Sequence, residues 1–243
     1  ILIMRNYILI LTFINLFAVK LTFANDFNIF SPIEEEEPNQ ISDPYEKINR
    51  KIYAFNVFVD NYTTKPAAKF YQITTSEEIR ANVTNFYKNI TMPITIANSL
   101  LQGDFKNLYR AARSFLINST VGIFGLFAPA EQNFKFKKSN REDFGQTLAK
   151  YNVGSGSYLM LPFFGPSSTR NLTGKIIDMP LSPNWYINEE SLRSLYTTSD
   201  VINQREKLLG HFDDIQKNTL DPYSVIKSSY YQRRNKMISN EIN

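Results

Sequence analysis

The residues from Tyr158 to Phe164 have the sequence YLMLPFF, contain no charge and are interrupted by Pro162. Gly154 and Gly156 precede this run, and Asp143 offers a polar helix start further upstream. Because proline lacks a backbone donor and breaks regular pairing, such a run is poorly suited to an amphipathic helix or to the centre of a sheet. The pattern indicates a segment that contacts lipid.

Helix-start signals dominate the rest of the chain, and strand signals are scarce. Asp43 with Pro44, and Asp221 with Pro222, each place a capping carboxylate before a proline at the first helical position. No linker rich in Gly, Ser or Pro divides the region after Asp43. The sequence predicts a mainly α protein with a single folded domain. Further helices are predicted after Ser76, after Asp104, and over Ile94–Leu101, Ser168–Asp178 and Glu190–Leu209.

The helix that follows Asp43 has two faces. Charged residues such as Lys47 and Asp60 lie off its apolar stripe, whose members recur at steps of three and four. The stripe consists of Tyr45, Ile48, Ile52, Phe55, Val59 and Tyr62. Periodicity alone favours a helix whose apolar face packs into the protein core over a helix that lies on a membrane surface.

Residues 1–24 are predicted to be a signal peptide. Met4 and Arg5 precede an apolar run from Tyr7 to Val19, and a small-residue ending offers a cleavage position after Ala24. This run is shorter than the roughly 20 residues that cross a bilayer comfortably. The pattern favours an exported, cleaved chain, and an uncleaved membrane anchor is the alternative.

The remaining chain divides into three predicted parts. Residues 25–42 contain the acidic block Glu34–Glu37, in which like charges repel, so they are predicted to form a disordered tether. Residues 43–238 form the helical domain, and residues 239–243 form a tail. The net charge is +4 and the pI about 9.0, but basic and acidic residues are mixed along the chain. This mixing favours a solvated surface and no nucleic-acid partner.

Residues capable of catalysis do not form a known catalytic pattern. His211 is the only histidine, and Ser155 and Ser157 do not stand in the nucleophile-elbow pattern of lipid hydrolases. The Asp-Phe-Gly triplet that begins at Asp143 lacks the phosphate loop, paired lysine and catalytic loop of a kinase. GPSSTR at residues 165–170 favours a helix cap over a phosphate loop, since no paired lysine accompanies it. We predict a protein that is not an enzyme.

No metal or other cofactor is expected. The sequence has no cysteine and one histidine, which argues against a transition-metal site. Asp213 and Asp214 could hold calcium only weakly.

Short motifs follow one another in a fixed order over nearly the whole region from residue 43 to residue 234. They are DPYEKINRKIYAFN (43–56), KPAAKFY (65–71), NFYKNI with Pro93 (85–93), NSLLQGDF (98–105), RSFLINSTVGIFGLF (113–127), DFGQTL (143–148), YLMLPFFGPSSTR (158–170) and LDPYSVIKSSYYQRR (220–234). The ordered set resembles the MlaA (VacJ) family of outer-membrane phospholipid-transport lipoproteins. Family members typically carry a lipid-modified cysteine after the signal. Because this sequence has no cysteine, we expect the protein to attach to the membrane through its fold or through a partner.

The resemblance implies a ring of amphipathic helices around a central channel, embedded at the periplasmic side of the outer membrane. The channel of such a protein removes mislocalised phospholipid from the outer leaflet and passes it to a periplasmic carrier, which maintains lipid asymmetry. Trimeric porins hold the ring in place. Under this resemblance, the stripe of the first helix is expected to face the membrane. The alternative is a structural or adhesion protein of the envelope without transport activity, and a weaker one is a lipid hydrolase.

The resemblance and the apolar segments together suggest site residues. The segments 121–130 and 158–164 are the expected lipid-contacting walls, with Phe124, Leu159, Leu161, Phe163 and Phe164 as their candidate residues. The expected polar or flexible lining consists of Asn118, Ser119, Thr120, Gly122 and Gly125. A buried core is the alternative for each of these residues. Lys227, Arg233, Arg234 and Lys236 could meet headgroups or a partner, or simply be solvated near a helix end.

Overall fold

A computed structural model describes residues 42–240. The predicted signal peptide and nearly all of the predicted tether lie outside the described residues. Helices account for 70% of the structure and strands for 4%, which confirms the mainly α prediction. The helices are α1 (Glu46–Val59), α2 (Lys65–Thr74), α3 (Glu77–Ile90), α4 (Met92–Leu101), α5 (Phe105–Thr120), α6 (Pro129–Gln132), α7 (Phe144–Lys150), α8 (Thr169–Asp178), α9 (Glu190–Glu206), α10 (Leu209–Asn218) and α11 (Pro222–Ile238).

Side-chain caps start many of these helices where the sequence predicts them. The Asp143 carboxylate accepts a hydrogen bond from the Gln146 amide at 2.9 Å, which satisfies an otherwise free donor in the first turn of α7. Four other side chains cap in the same way: Ser76 before α3, Asp104 before α5, Ser168 before α8 and Asp221 before α11. The cap interpretation of Ser168, within GPSSTR, is therefore confirmed.

Two of the predicted boundaries are wrong. Asp43 does not cap α1, because its carboxylate accepts hydrogen bonds from the Asn49 side chain at 2.8 Å and from Tyr223, and pairs with Lys227 at 3.2 Å. The predicted helix Glu190–Leu209 instead ends at Glu206, and α10 begins after a short break. A π-helical turn, Asp60–Thr64, joins α1 to α2, and two 3₁₀ turns, Met179–Leu181 and Pro183–Trp185, follow α8.

A short hairpin accommodates the uncharged run. Strands β1 (Tyr158–Leu161) and β2 (Gly165–Ser168) pair antiparallel, with Leu161 opposite Gly165. Pro162 lies in the connecting turn, where its missing donor disturbs no ladder. Tyr158 and Met160 point inward and form a small apolar cluster with Tyr223, Ile226 and Tyr230 of α11.

Polar contacts hold α4, α7 and α8 together. The Asn98 side chain donates to Asp178 at 2.8 Å and accepts from the Thr147 hydroxyl at 2.7 Å, and all three residues are buried. Asp178 also accepts from the Phe144 amide at 2.7 Å. Gly174 allows α8 to approach α7 closely, since a Cβ there would lie 2.3 Å from the Gly145 nitrogen.

Candidate lipid-binding site

Helix α1 buries an asparagine and exposes most of its apolar stripe, although Ile52 of that stripe packs against the apolar cluster of Tyr158 and Tyr223. The buried residue of this helix is Asn49, whereas Ile48 of the apolar stripe is 59% exposed and Tyr45, Phe55 and Tyr62 are also exposed. The core-facing arrangement that periodicity alone favoured is therefore wrong for most of the stripe. The structure agrees instead with the arrangement expected from the family resemblance.

The same inversion recurs on longer helices. Leu116 of α5 and Leu195 of α9 are exposed, although each belongs to the apolar face of its helix. On α5 the buried residues are Asn107, Ala111, Ser114 and Asn118, and on α9 they are Thr197, Asp200, Asn203 and Arg205.

Across the described residues, 24 polar or charged residues are buried, against 11 hydrophobic ones. A protein that folds in water normally buries aliphatic and aromatic side chains, and it rarely exposes large contiguous apolar patches. Buried polar groups are expensive unless they are hydrogen-bonded or reached by water. Polar side chains inside and apolar side chains outside are therefore the arrangement expected of a molecule whose outer surface meets hydrocarbon.

The loop after α5 is the most continuous exposed apolar segment. Phe124 at its tip is 72% exposed, and the other exposed large side chains are Val121, Ile123, Leu126 and Phe127. The loop turns back on α5 through hydrogen bonds from the Gly125 amide to Asn118 and from the Phe124 amide to Ser119. This geometry presents the predicted wall residue Phe124 outward on a fixed base.

The predicted lining residues form that base. Asn118 is buried, donates to Glu131 at 3.0 Å and accepts from the Ala130 amide at 3.0 Å. Ser119 accepts from Asn89 of α3 at 2.8 Å. Gly125 has φ +89° and approaches Asn89 so closely that a Cβ there would lie 2.3 Å from the Asn89 Cβ.

The other two predicted lining residues lie close by. Gly122 is buried against the Phe127 carbonyl oxygen, where a Cβ would lie at 2.3 Å. Thr120 is exposed and donates to the Leu116 carbonyl oxygen of its own helix at 2.7 Å. The structure thus brings Asn118, Ser119, Gly122 and Gly125 together on one side of α3.

The second predicted wall lies on the hairpin, against α1. Leu159, Leu161, Phe163 and Phe164 are all half-buried. The Phe163 ring packs edge-on against Phe55 of α1, with 5.2 Å between ring centroids. The two predicted walls therefore pack against different helices. The loop packs against α5 and α3, and the hairpin packs against α1.

Two asparagines of α1 hold the hairpin in a way that the sequence analysis missed. Asn49 donates to the Tyr158 carbonyl oxygen at 3.1 Å and accepts from the Met160 amide at 2.9 Å. Seven residues later, Asn56 repeats the arrangement, donating to the Leu161 carbonyl oxygen at 2.9 Å and accepting from an amide of the turn at 2.8 Å. Two asparagines seven residues apart, on the side of the helix opposite an apolar stripe, were the sequence pattern that could have predicted this contact.

The part of the chain that the structure describes contains no group of three or more His, Cys, Asp or Glu side chains placed to hold a metal ion. His211, the residue considered for hydrolysis, is exposed on α10. Between residues 42 and 240, no helix is both long enough and apolar enough to traverse a bilayer.

Comparison with known proteins identifies the family. The family model described as MlaA lipoprotein matches residues 41–237. An uncharacterized protein of Rickettsia bellii (strain RML369-C) is 38% identical over 196 residues, which span 80% of this chain and 76% of the relative. The intermembrane phospholipid transport system lipoprotein MlaA of Escherichia coli (strain K12) is 32% identical over 197 residues, spanning 79% and 76% of the two chains.

A solved structure shows the same fold. The structure, described as "Structural basis for maintenance of bacterial outer membrane lipid asymmetry", matches with a TM-score of 0.70 and 30% identity, and the match covers 81% of this chain and 99% of that one. The extent of the family match, the identity of the relatives and the shared fold agree. The chain belongs to the MlaA lipoprotein family.

Proposed function

We propose that this protein takes mislocalised phospholipid from the outer leaflet of the Gram-negative outer membrane and passes it to a periplasmic carrier. The observation that carries the proposal is the inverted burial, with polar side chains inside and a broad apolar surface outside. The relatives support it, since one is named as a component of an intermembrane phospholipid transport system. The resulting function is the maintenance of lipid asymmetry.

The inverted burial fits the physical problem of moving a phospholipid. The charged headgroup must avoid hydrocarbon, and the acyl tails must avoid water. A ring of helices with an apolar outside and a wet, polar inside gives each part of the lipid a suitable environment. Such a conduit needs no catalysis, and its direction is set by lipid gradients or by partner proteins.

A ring requires the two ends of the domain to meet, and contacts between α1 and α11 support this closure. Arg50 of α1 pairs with Asp221, the cap of α11, at 2.7 Å. Lys227 of α11 pairs with Asp43, just before α1, at 3.2 Å. Trimeric porins in the same membrane would hold the ring in place, as the family resemblance implies.

Within this ring, the loop around Phe124 and the hairpin tip with Phe163 and Phe164 form the lipid-contacting walls. Asn118, Ser119 and Thr120 mark the adjoining polar side, and Gly122 and Gly125 let the loop turn sharply. Leu159 and Leu161 extend the wall along the hairpin.

Deletion of the gene in its own host tests the proposal. Accumulation of phospholipid in the outer leaflet, measured by accessibility of headgroups to an impermeant reagent, is the expected result. An unchanged lipid distribution with altered surface contacts would contradict transport and favour a structural or adhesion role. Complementation with His211→Ala or Ser157→Ala should restore asymmetry fully, and failure of either variant would favour a lipid hydrolase.

A further inference from the structure

The surface formed by α5 and the segment after α6 carries many basic side chains and few acidic ones. Residues 105–138 contain one acidic residue, Glu131, and six basic ones. The basic residues, which together define the basic surface, are Lys106, Arg110, Arg113, Lys135, Lys137 and Lys138. Within residues 42–240, none of the six forms an ion pair or a side-chain hydrogen bond.

On α5 the basic residues border the exposed apolar side of the helix. Lys106, Arg110 and Arg113 recur at steps of four and three, so they share one side of α5. The side next to it is apolar and exposed, and it consists of Phe105, Tyr109 and Leu116. A cationic edge beside an exposed apolar face is the pattern of helices that lie at the interface of a membrane.

The segment 134–140 is fixed alongside the basic residues of α5. The Asn107 side chain donates to the Asn140 carbonyl oxygen at 3.0 Å and accepts from the Asn140 amide at 2.8 Å. Almost two turns further along α5, the Arg113 guanidinium lies over the Phe136 ring, 4.0 Å from its centroid. These contacts hold the segment antiparallel to α5. They bring three further cations beside those of the helix, namely Lys135, Lys137 and Lys138.

Aromatic rings lie among these cations. Phe134 is exposed, and its ring packs against Phe136 with 5.7 Å between the centroids. The Arg113 guanidinium also lies 5.3 Å from the centroid of the Tyr109 ring, one turn earlier on α5. Exposed rings mixed with cations suit the membrane interface, where the rings enter the acyl boundary and the cations meet headgroup phosphates.

The acidic residues nearest in sequence do not neutralise the basic surface. Glu131 accepts a hydrogen bond from Asn118 at 3.0 Å, and Asp104 caps α5 by accepting from the Asn107 amide at 2.9 Å. Counting both carboxylates against the six cations still leaves four positive charges.

We propose that this basic surface binds the anionic headgroups of the membrane in which the apolar side of α5 lies. The surface adjoins Leu116 and the loop that carries Phe124, both of which are exposed and apolar. Anionic lipids attract Lys and Arg at the depth where hydrocarbon ends. An acidic protein would match the charge as well, but it would leave the neighbouring apolar side of α5 in water. The inference goes beyond the proposed transport, because it concerns attachment to the membrane.

Flotation of the full chain with lipid vesicles tests the basic surface. Vesicles of phosphatidylcholine are compared with vesicles that also contain phosphatidylglycerol, which supplies anionic headgroups. The unmodified protein should partition more strongly into the anionic vesicles, and added salt should remove this difference because salt screens exposed charges. Replacing three lysines together, Lys135→Gln, Lys137→Gln and Lys138→Gln, should weaken partition into the anionic vesicles by about tenfold or more. Partition into phosphatidylcholine vesicles should stay the same.

The matched control removes three exposed lysines of α2, α7 and α10, by Lys69→Gln, Lys150→Gln and Lys217→Gln. This control has the same net charge as the first triple variant and should partition as the unmodified protein does. Within the described part of the chain, none of the substituted lysines forms an ion pair, so both triple variants should fold. Circular dichroism checks that they do.

Equal losses in the two triple variants would overturn the basic surface, because the effect would then follow net charge alone. An unmodified protein with no preference for the anionic vesicles would overturn it as well. If the first triple variant keeps its vesicle binding but no longer copurifies with an acidic protein of its host, the surface binds a protein and the lipid assignment fails. None of these results decides whether the protein transports phospholipid, which deletion of the gene tests separately.

Discussion

Arg234 joins three elements at the scale of a single side chain. From α11 it reaches both carboxylate oxygens of Asp143, the cap of α7, at 2.6 and 3.0 Å, and donates to Asn171 of α8 at 2.9 Å. Because Arg234→Ala removes the cation that pairs with the mostly enclosed Asp143 carboxylate, the substitution should lower the free energy of unfolding by about 3–5 kcal/mol. Thermal unfolding in detergent measures the loss of stability. Lys106→Ala, at an exposed position of α5, is the control, and an equal loss in both variants would contradict the role assigned to Arg234.

Glu142 makes stability depend on pH. Burial is the main cause that raises its pKa from 4.5 to about 7, and its carboxylate accepts from Gln102 at 2.8 Å. A raised carboxyl pKa means that the fold prefers the protonated form. The stability therefore falls as pH rises from about 4.5 to about 7, by about 3 kcal/mol.

Glu142→Gln removes this charge and should stabilise the protein at pH 8 but not at pH 4. Melting temperatures of the variant and the unmodified protein at the two pH values check the expectation. The exposed Glu78→Gln serves as the control and should give a pH-independent difference. A Glu142→Gln effect of the same size at both pH values would argue against a buried, protonated carboxyl group.

At the scale of elements, the two asparagine contacts fix the hairpin on α1. Asn56→Ala removes the hydrogen bonds that Asn56 makes with the Leu161 carbonyl and the Phe163 amide, which should cost about 1–3 kcal/mol and loosen the hairpin tip. Hydrogen exchange at the Phe163 amide should accelerate, while Asn61→Ala, at an exposed position of the π-helical turn, should leave it unchanged. Exchange unaltered by Asn56→Ala would show that other contacts hold the tip.

The elements also show how far sequence patterns reach. A capping side chain bonds to a backbone amide only a few residues away. The helix starts predicted at Ser76, Asp104, Asp143 and Asp221 are therefore correct. The prediction that Asp43 caps α1 was wrong because its carboxylate pairs with Lys227, which is distant in sequence. Such a tertiary contact leaves no local sequence pattern. The hairpin was missed for a similar reason, since side chains of α1 rather than further strands satisfy its outer edge.

At the scale of the whole molecule, the direction in which each helix faces could not be derived from periodicity. An apolar stripe has the same spacing whether it meets a protein core or hydrocarbon, so α1 alone favoured the wrong answer. The buried polar side chains at matching spacing, such as Asn107, Ser114 and Asn118, carried the missing information.

The central claim is that the apolar outside faces hydrocarbon, whereas exposed charged side chains such as Lys88 and Lys207 face water. Because the sequence has no cysteine, single substitutions can be labelled one at a time in intact membranes with a water-soluble thiol reagent. Phe124→Cys and Leu116→Cys should be protected in membranes and react only after detergent treatment, whereas Lys88→Cys and Lys207→Cys should react in both. Rapid aqueous labelling of the Phe124 and Leu116 positions in membranes, with protection of Lys88 and Lys207, would contradict the account.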